Sequence, residues 1–429
     1  MLQANPNLRD FFKLGLCKTD PEIFAAIERE KLRQQDQIEL IAPKNYQSQA
    51  AREGLASIMS FTSVEGYPGR RFHAGVVNID DIETIAIRRA KQMFGAHHAN
   101  VQPHSGTQAN QAVFFSTLEP GDLVLSMNLN AGGHLSHGLN TNMSGRWFST
   151  INYSTDIEGH IDYEDMERLA KREKPKLIIV GGSSYPRIID FKRVSDIAKS
   201  INARVLADVA HFAGLIVGGC YPSPFPHVDF ITTTTNKNLR GPRGGLILAL
   251  NPEDAKKIDS AVFPGIQGGP LPEMITAKAI CFGEALTPEF SDYAQTVLAN
   301  AQAFASTLME RTYKVVTNGT DTPLVVIDLR PKRLTGDIAQ EALEAAGITC
   351  NRNLVPHDTE KPMITSGLRF GTSAMTARGM LPTDARLLAQ LVCDVLDRLQ
   401  TGLRGKEAVP DSVIEARASL AKGHPIYNS

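Results

Sequence analysis

Short apolar runs alternate with stretches of helical spacing through the middle of the chain. Leu123–Ser126, Leu177–Val180, Val205–Asp208, Phe230–Thr234 and Leu246–Leu250 are apolar or β-branched over four or five positions, and several are bounded by Gly or Pro. Such runs predict buried strands. Tyr163–Lys171 and Val194–Ile201 fall between them and carry their apolar residues at helical spacing. Strand, helix and strand in succession predict an α/β fold with a mostly parallel sheet covered by helices on both faces. Ligands of such sheets lie beyond the carboxyl ends of the strands. The polar residues that close each strand are therefore the ones to inspect.

After about Cys281 the pattern changes. Leu324–Leu329 predicts a strand and Thr335–Ala346 a helix. Asp384–Gln400 places Leu387, Leu388, Leu391, Val392, Val395, Leu396 and Leu399 on one face of an amphipathic helix. This predicts an N-terminal arm over residues 1–30, a large domain over 31–280 and a smaller α+β domain over 281–429. No repeat or low-complexity tract interrupts them.

Composition narrows the function classes. Lys plus Arg is 45 and Asp plus Glu 46, for a net charge of −1. A near-neutral chain has no general attraction for nucleic acid or an anionic membrane, so neither is an expected partner. The five cysteines are scattered without a CxxC pair, which argues against a disulfide framework or a thiolate metal site. No run of eighteen apolar residues exists. Phe11, Phe12, Leu14 and Leu16 are interrupted by Asp10 and Lys13, so no signal peptide is read there. A cytoplasmic protein is the expectation.

Three local features carry chemistry. Ser105-Gly106-Thr107-Gln108-Ala109-Asn110 is a small polar turn leading into a helical stretch over Gln108–Thr117, where backbone N–H groups and the helix dipole favour an anion. Asp208 closes the strand Val205–Asp208. The β-branched run Thr232–Thr235 delivers Asn236 and Lys237 to a strand end, ahead of the tight loop Gly241-Pro242-Arg243-Gly244-Gly245. Alone, the first reads as an ordinary N-cap and the second as a satisfied polar residue. Together, an anion turn, a carboxylate and a buried amine suggest a Schiff base to pyridoxal phosphate.

These strings resemble the serine (glycine) hydroxymethyltransferases. Val101-Gln102-Pro103-His104-Ser105-Gly106-Thr107, Gly132-Gly133-His134-Leu135-Ser136-His137-Gly138 and Asp208-Val209-Ala210-His211 carry the likeness. So do Phe263-Pro264-Gly265-Ile266-Gln267-Gly268-Gly269-Pro270 and Thr365-Ser366-Gly367-Leu368-Arg369, and it extends from about Glu28 to about Gln400. The resemblance implies the fold-type-I, aspartate aminotransferase-like architecture in a homodimer with shared active sites. It implies that Lys237 forms the Schiff base, Asp208 pairs with the ring nitrogen, His134 stacks on the ring, and Ser183 and His211 lie near its hydroxyl. Ser105, Gly106 and Thr107 would cradle the phosphate, with Gly268 and Gly269 reaching it from the partner subunit. Arg369 would bind the substrate carboxylate and Glu65 handle protons. Asn353 and Leu135 match positions near a tetrahydrofolate co-substrate.

The departures from the family gather on the substrate side. Ser63 and His73 stand where the family has tyrosines, Asn236 where it has histidine before the lysine, and Ala42-Pro43-Lys44-Asn45 where it has Ala-Ser-Glu-Asn. Ala131 replaces a histidine before Gly132. Retained cofactor residues beside altered substrate residues predict aldol chemistry at Cα–Cβ of β-hydroxy-α-amino acids, with Ser63, His73, Asn236 and Arg369 facing substrate. Folate-dependent serine–glycine interconversion, a folate-independent aldolase for an α-methylserine-type substrate, and a specialised lyase or decarboxylase all remain open from the sequence. A non-catalytic scaffold would not need the lysine, the aspartate and the anion turn together.

Overall fold

The computed structural model describes residues 12–427. Its large sheet has seven strands: β1 His98–Asn100, β2 Leu123–Met127, β3 Ser149–Tyr153, β4 Leu177–Gly181, β5 Arg204–Asp208, β6 Phe230–Thr234 and β7 Gly245–Ala249. They lie in the order β1-β7-β6-β5-β4-β2-β3. The run from β6 to β3 is parallel, and β7 is antiparallel to both of its neighbours.

Strand β4 is apolar throughout because both of its faces are covered. Alternate residues enter different cores, as the two-residue period of a strand requires. Leu177 and Ile179 of β4 pack with Val113 and Phe114 of the helix Gly106–Thr117 on one side. Ile178 and Val180 pack with Phe191, Val194 and Ile197 of the helix Phe191–Ser200 on the other.

A second core belongs to a four-stranded antiparallel sheet that contains Leu324–Asp328 and Gly367–Gly371. The helices Pro288–Glu310 and Pro382–Gln400 pack against it and each other. Ile38 and Leu40 also lie in this second core, although they fall within the 31–280 span expected for the large domain. The reason is a short parallel pairing of Ile38–Glu39 with Ile348–Thr349, a contact between distant segments that no local pattern encodes. Leu387, expected on the buried face of its helix, is 37 % exposed, while Leu388, Leu391, Val392, Val395, Leu396 and Leu399 are buried.

Part of the expected arm is a helix, Pro21–Asp36, begun by Asp20, whose side chain accepts from the Ile23 N–H at 3.0 Å. None of its residues is buried. Phe11 lies outside the described residues. Among the described residues, no helix is long and apolar enough to cross a membrane.

Candidate active site

Beyond the carboxyl ends of β2, β4, β5 and β6, a cavity of about 520 Å³ opens between the two cores. Ser105, Gly106, Thr107, His134, Ser183, Asp208, His211, Asn236, Lys237 and Arg369 all line it. Sequence distance is no guide to this gathering, because the residues come from several separate strands and turns spread between Ser105 and Arg369.

The helix Gly106–Thr117 starts at one wall. Ser105 is its N-cap, and its Oγ accepts from the Gln108 N–H at 3.2 Å. A Cβ on Gly106 would stand 2.6 Å from Thr234 Cγ2, so only glycine lets the helix begin against the end of β6. Ser105, Gly106 and Thr107 at this helix start line the cavity together with Arg243, a set suited to a phosphate.

Asp208 is held on three sides. Its Oδ2 accepts from Asn110 Nδ2 and His137 Nε2, each at 2.9 Å, and its Oδ1 from the Ala210 N–H at 3.1 Å. Thr232 Oγ1 donates to Asn110 Oδ1 at 2.5 Å, which fixes the amide so that its NH2 group faces the carboxylate. Burial alone would raise the Asp208 carboxyl; hydrogen bonding from His137, the two nearby imidazoles and Asn110 outweigh it and hold it well below the usual range. A buried carboxylate that stays ionised can hold a proton on a heterocyclic nitrogen. His134, His137 and Asp208 bring ligand atoms within 4.8 Å of one another, but the His137–Asp208 and His134–Ser136 hydrogen bonds already use this spacing.

Three bases that line the cavity, His134, His211 and Lys237, are shifted toward neutrality by burial. His134 is pushed down to about 4 and His211 well below its ordinary value. Lys237 is pushed down to about 8 by burial, against the pull of Asp208. A lysine amine is a nucleophile only when unprotonated, so this shift favours carbonyl attack.

Arg369 closes the far wall. Its Nη1 donates to the Ser183 carbonyl at 2.6 Å and its Nη2 to Asn351 Oδ1 at 3.2 Å. Its Nε is buried without a partner, and no described carboxylate pairs with the guanidinium. A desolvated cation with a spare donor calls for an anionic ligand. The amine, the ionised carboxylate, the N–H cradle and this cation together fit pyridoxal phosphate and the carboxylate of an amino acid.

Other expected residues lie elsewhere in the single chain. Glu65, Ser63, His73, Gly268 and Gly269 do not line the cavity. Glu65 instead adjoins the two glycines: a Cβ on Gly268 would stand 3.9 Å from Glu65 Oε1, and one on Gly269 would stand 3.7 Å from Glu65 Cγ. Asn353 is also outside the cavity, while Leu135 lines it. Reading motifs one by one missed the roles of Asn110, His137, Asn351 and Arg243. Asn110 and His137 stood inside quoted strings, but 98 and 71 residues separate them from Asp208.

The family model described as serine hydroxymethyltransferase matches residues 16–392. The chain belongs to the serine hydroxymethyltransferase family. It is 49 % identical to the serine hydroxymethyltransferase of Acidiphilium cryptum over 431 residues, covering all of both chains. It is 51 % identical to that of Rhodospirillum centenum over 418 residues, and 51 % to that of Ruegeria pomeroyi over 419, covering 97 % of each chain in both cases. Like the rest of the serine hydroxymethyltransferase family, it is a pyridoxal-phosphate enzyme of fold type I. The family's co-substrate is tetrahydrofolate.

Proposed function

We propose that two copies of this chain form shared sites that interconvert serine and glycine, with tetrahydrofolate taking the one-carbon unit. The observation that carries the amino-acid reading is Arg369: a half-buried guanidinium whose buried Nε has no partner and which pairs with no described carboxylate, in the same cavity as Lys237 and Asp208. It binds the substrate carboxylate and so orients Cα and Cβ over the cofactor site. Ser105, Gly106 and Thr107 hold the phosphate, and Asp208 holds the ring-nitrogen proton. Lys237 supplies the amine that anchors the cofactor. Bound pyridoxal phosphate supplies an electrophilic carbon for the substrate amine and a ring that takes up the electron pair released when Cα–Cβ breaks.

The separation of Glu65, Gly268 and Gly269 from the cavity supports a shared site. In this reading a partner's copies of these residues complete it, with Glu65 moving the proton of the β-hydroxyl. Mixing K237A and E65Q chains tests this. Random pairing makes half of the dimers mixed, each with one intact site, so activity returns to about a quarter of the wild type. No recovery after subunit exchange rejects the shared site.

A second substrate reading rests on the departures. Pro43, Lys44 and Asn236 line one wall of the cavity, and Asn236 Nδ2 donates to the Pro43 carbonyl at 3.5 Å. Smaller or rearranged groups there, with Ser63 and His73 in place of tyrosines, would give room to an α-methyl group when Cα–Cβ stands perpendicular to the ring. Comparing kcat/KM for α-methylserine and serine, each with and without tetrahydrofolate, decides between them. A strong folate-dependent preference for serine rejects the α-methyl reading. The cytoplasm, which suits free cysteines, is proposed as the compartment.

A further inference from the structure

Gln102 is 2 % exposed and lies between Val101 and Pro103, three residues before the phosphate turn. Lys278, also buried, donates from Nζ to the carbonyls of Val101, Pro103 and Gly245 at 2.6, 3.0 and 2.9 Å. The backbone around Gln102 is therefore pinned. Its side chain reaches away from the cavity, where Nε2 donates to the Gly66 carbonyl at 2.9 Å and to Glu83 Oε1 at 2.7 Å. Both partners are acceptors, so the amide has one workable orientation.

Gly66 follows Glu65 directly. Its φ is +88°, and a Cβ there would meet the Arg70 carbonyl at 2.3 Å. Only glycine therefore fits this turn. That carbonyl takes a second bond from Arg71 Nη1 at 2.5 Å, and Arg71 in turn pairs with the fully buried Glu83. The main chain of Gln102 makes one further link: its carbonyl accepts from Gln267 Nε2 at 3.0 Å, next to Gly268 and Gly269. One buried residue thus touches the backbone beside Glu65 and the segment before the two glycines, and itself belongs to the stretch that leads from β1 into Ser105.

We propose that Gln102 is a positioning residue that sets the placement of Glu65 through the Gly66 carbonyl. The proposal rests on the reading of Glu65 as the proton-handling group. Q102M keeps the length of the side chain and leaves the Arg71–Gly66 and Arg71–Glu83 bonds in place, so the fold has a second anchor there.

The test is a double-mutant cycle with E65Q in the cofactor-loaded enzyme, joined to amide exchange on the same proteins. Misplacement of a reacting group costs up to about a hundredfold. Q102M alone is expected to lower kcat by about ten- to a hundredfold, with KM for serine and cofactor affinity changed less than about threefold. In the E65Q background the same change is expected to lower kcat by less than about twofold, because the group it positions is already disabled. Exchange should quicken over Gly66–Phe72 and stay unchanged over Gly106–Thr117. Q102E should be slower than Q102M, since its carboxylate would face Glu83 and a carbonyl. Additive losses in a slow E65Q background, or unaltered exchange over Gly66–Phe72, overturn the proposal alone. An E65Q enzyme with wild-type turnover overturns the Glu65 assignment and the proposal together.

Discussion

Removing the side-chain charge of Lys237 should make the cofactor-free protein more stable. Lys237 is half-buried in the cavity wall, makes no hydrogen bond through Nζ to a described residue, and desolvation pushes it from the ordinary lysine value of 10.5 down to about 8. At 1.36 kcal/mol for each pH unit, this gap comes to about 3 kcal/mol against folding when the amine is protonated. Below pH 8 the amine is charged in both folded and unfolded chains, and the cost is present in full. Between about pH 8 and 10.5 the folded chain has lost the proton and the unfolded chain has kept it. The unfolded state then binds more protons, so stability rises with pH and the cost disappears by the upper limit. K237M carries no such charge. Urea unfolding of the cofactor-free wild type and K237M, followed by circular dichroism from pH 7 to 10.5, reads the difference directly. K237M is expected to be more stable by about 3 kcal/mol at pH 7, and the gap is expected to close as pH rises to 10.5. Other groups titrate in this window, Lys278 among them, but they are common to both proteins and cancel in the difference. Equal stabilities at pH 7, or a gap that does not depend on pH, would refute the account of a desolvated active-site amine.

Three further outcomes follow from the same geometry. D208N should bind cofactor yet turn over far more slowly, because a neutral amide does not hold a ring proton and meets the Asn110 and His137 donors with an NH2 group or a weaker acceptor; an unchanged kcat would remove Asp208 from its role. R369K should weaken amino-acid binding by about 1.5–3 kcal/mol, the worth of a hydrogen bond to a charged group, read as the apparent Kd for several amino acids in the loaded enzyme; equal affinities would place the carboxylate elsewhere. G106A should lower cofactor affinity at least about tenfold, since its methyl group would press on Thr234 Cγ2 and push the first helical turn out of line. Titration of the cofactor-free protein with pyridoxal phosphate, followed at the visible band, checks it.

The local parts of this protein are legible in its sequence. The runs at Leu177, Val205 and Phe230 declare buried strands because a strand covered on both faces is made mostly of apolar or β-branched residues. The turn at Ser105 and the lysine after Thr235 declare themselves because an N-cap and a strand-end amine are short-range features. The motif strings carry the cofactor and the family. What stayed hidden depends on segments that meet only when the chain is folded. Ile38 and Leu40 join the second core through a pairing with Ile348–Thr349. Asn110 and His137 become the partners of Asp208 because β5, the helix from Gly106 and the turn after β2 converge at one end of the sheet. Glu65 reads in sequence as one more member of the site, yet the fold sets it beside Gly268 and Gly269 and away from Lys237. Sequence alone determines which side chains have the chemistry and which stretches are strand or helix, since those follow from side-chain type and spacing. Tertiary structure alone decides which of them share a cavity, because burial, pKa and hydrogen-bond partners depend on distances in space between residues far apart along the chain.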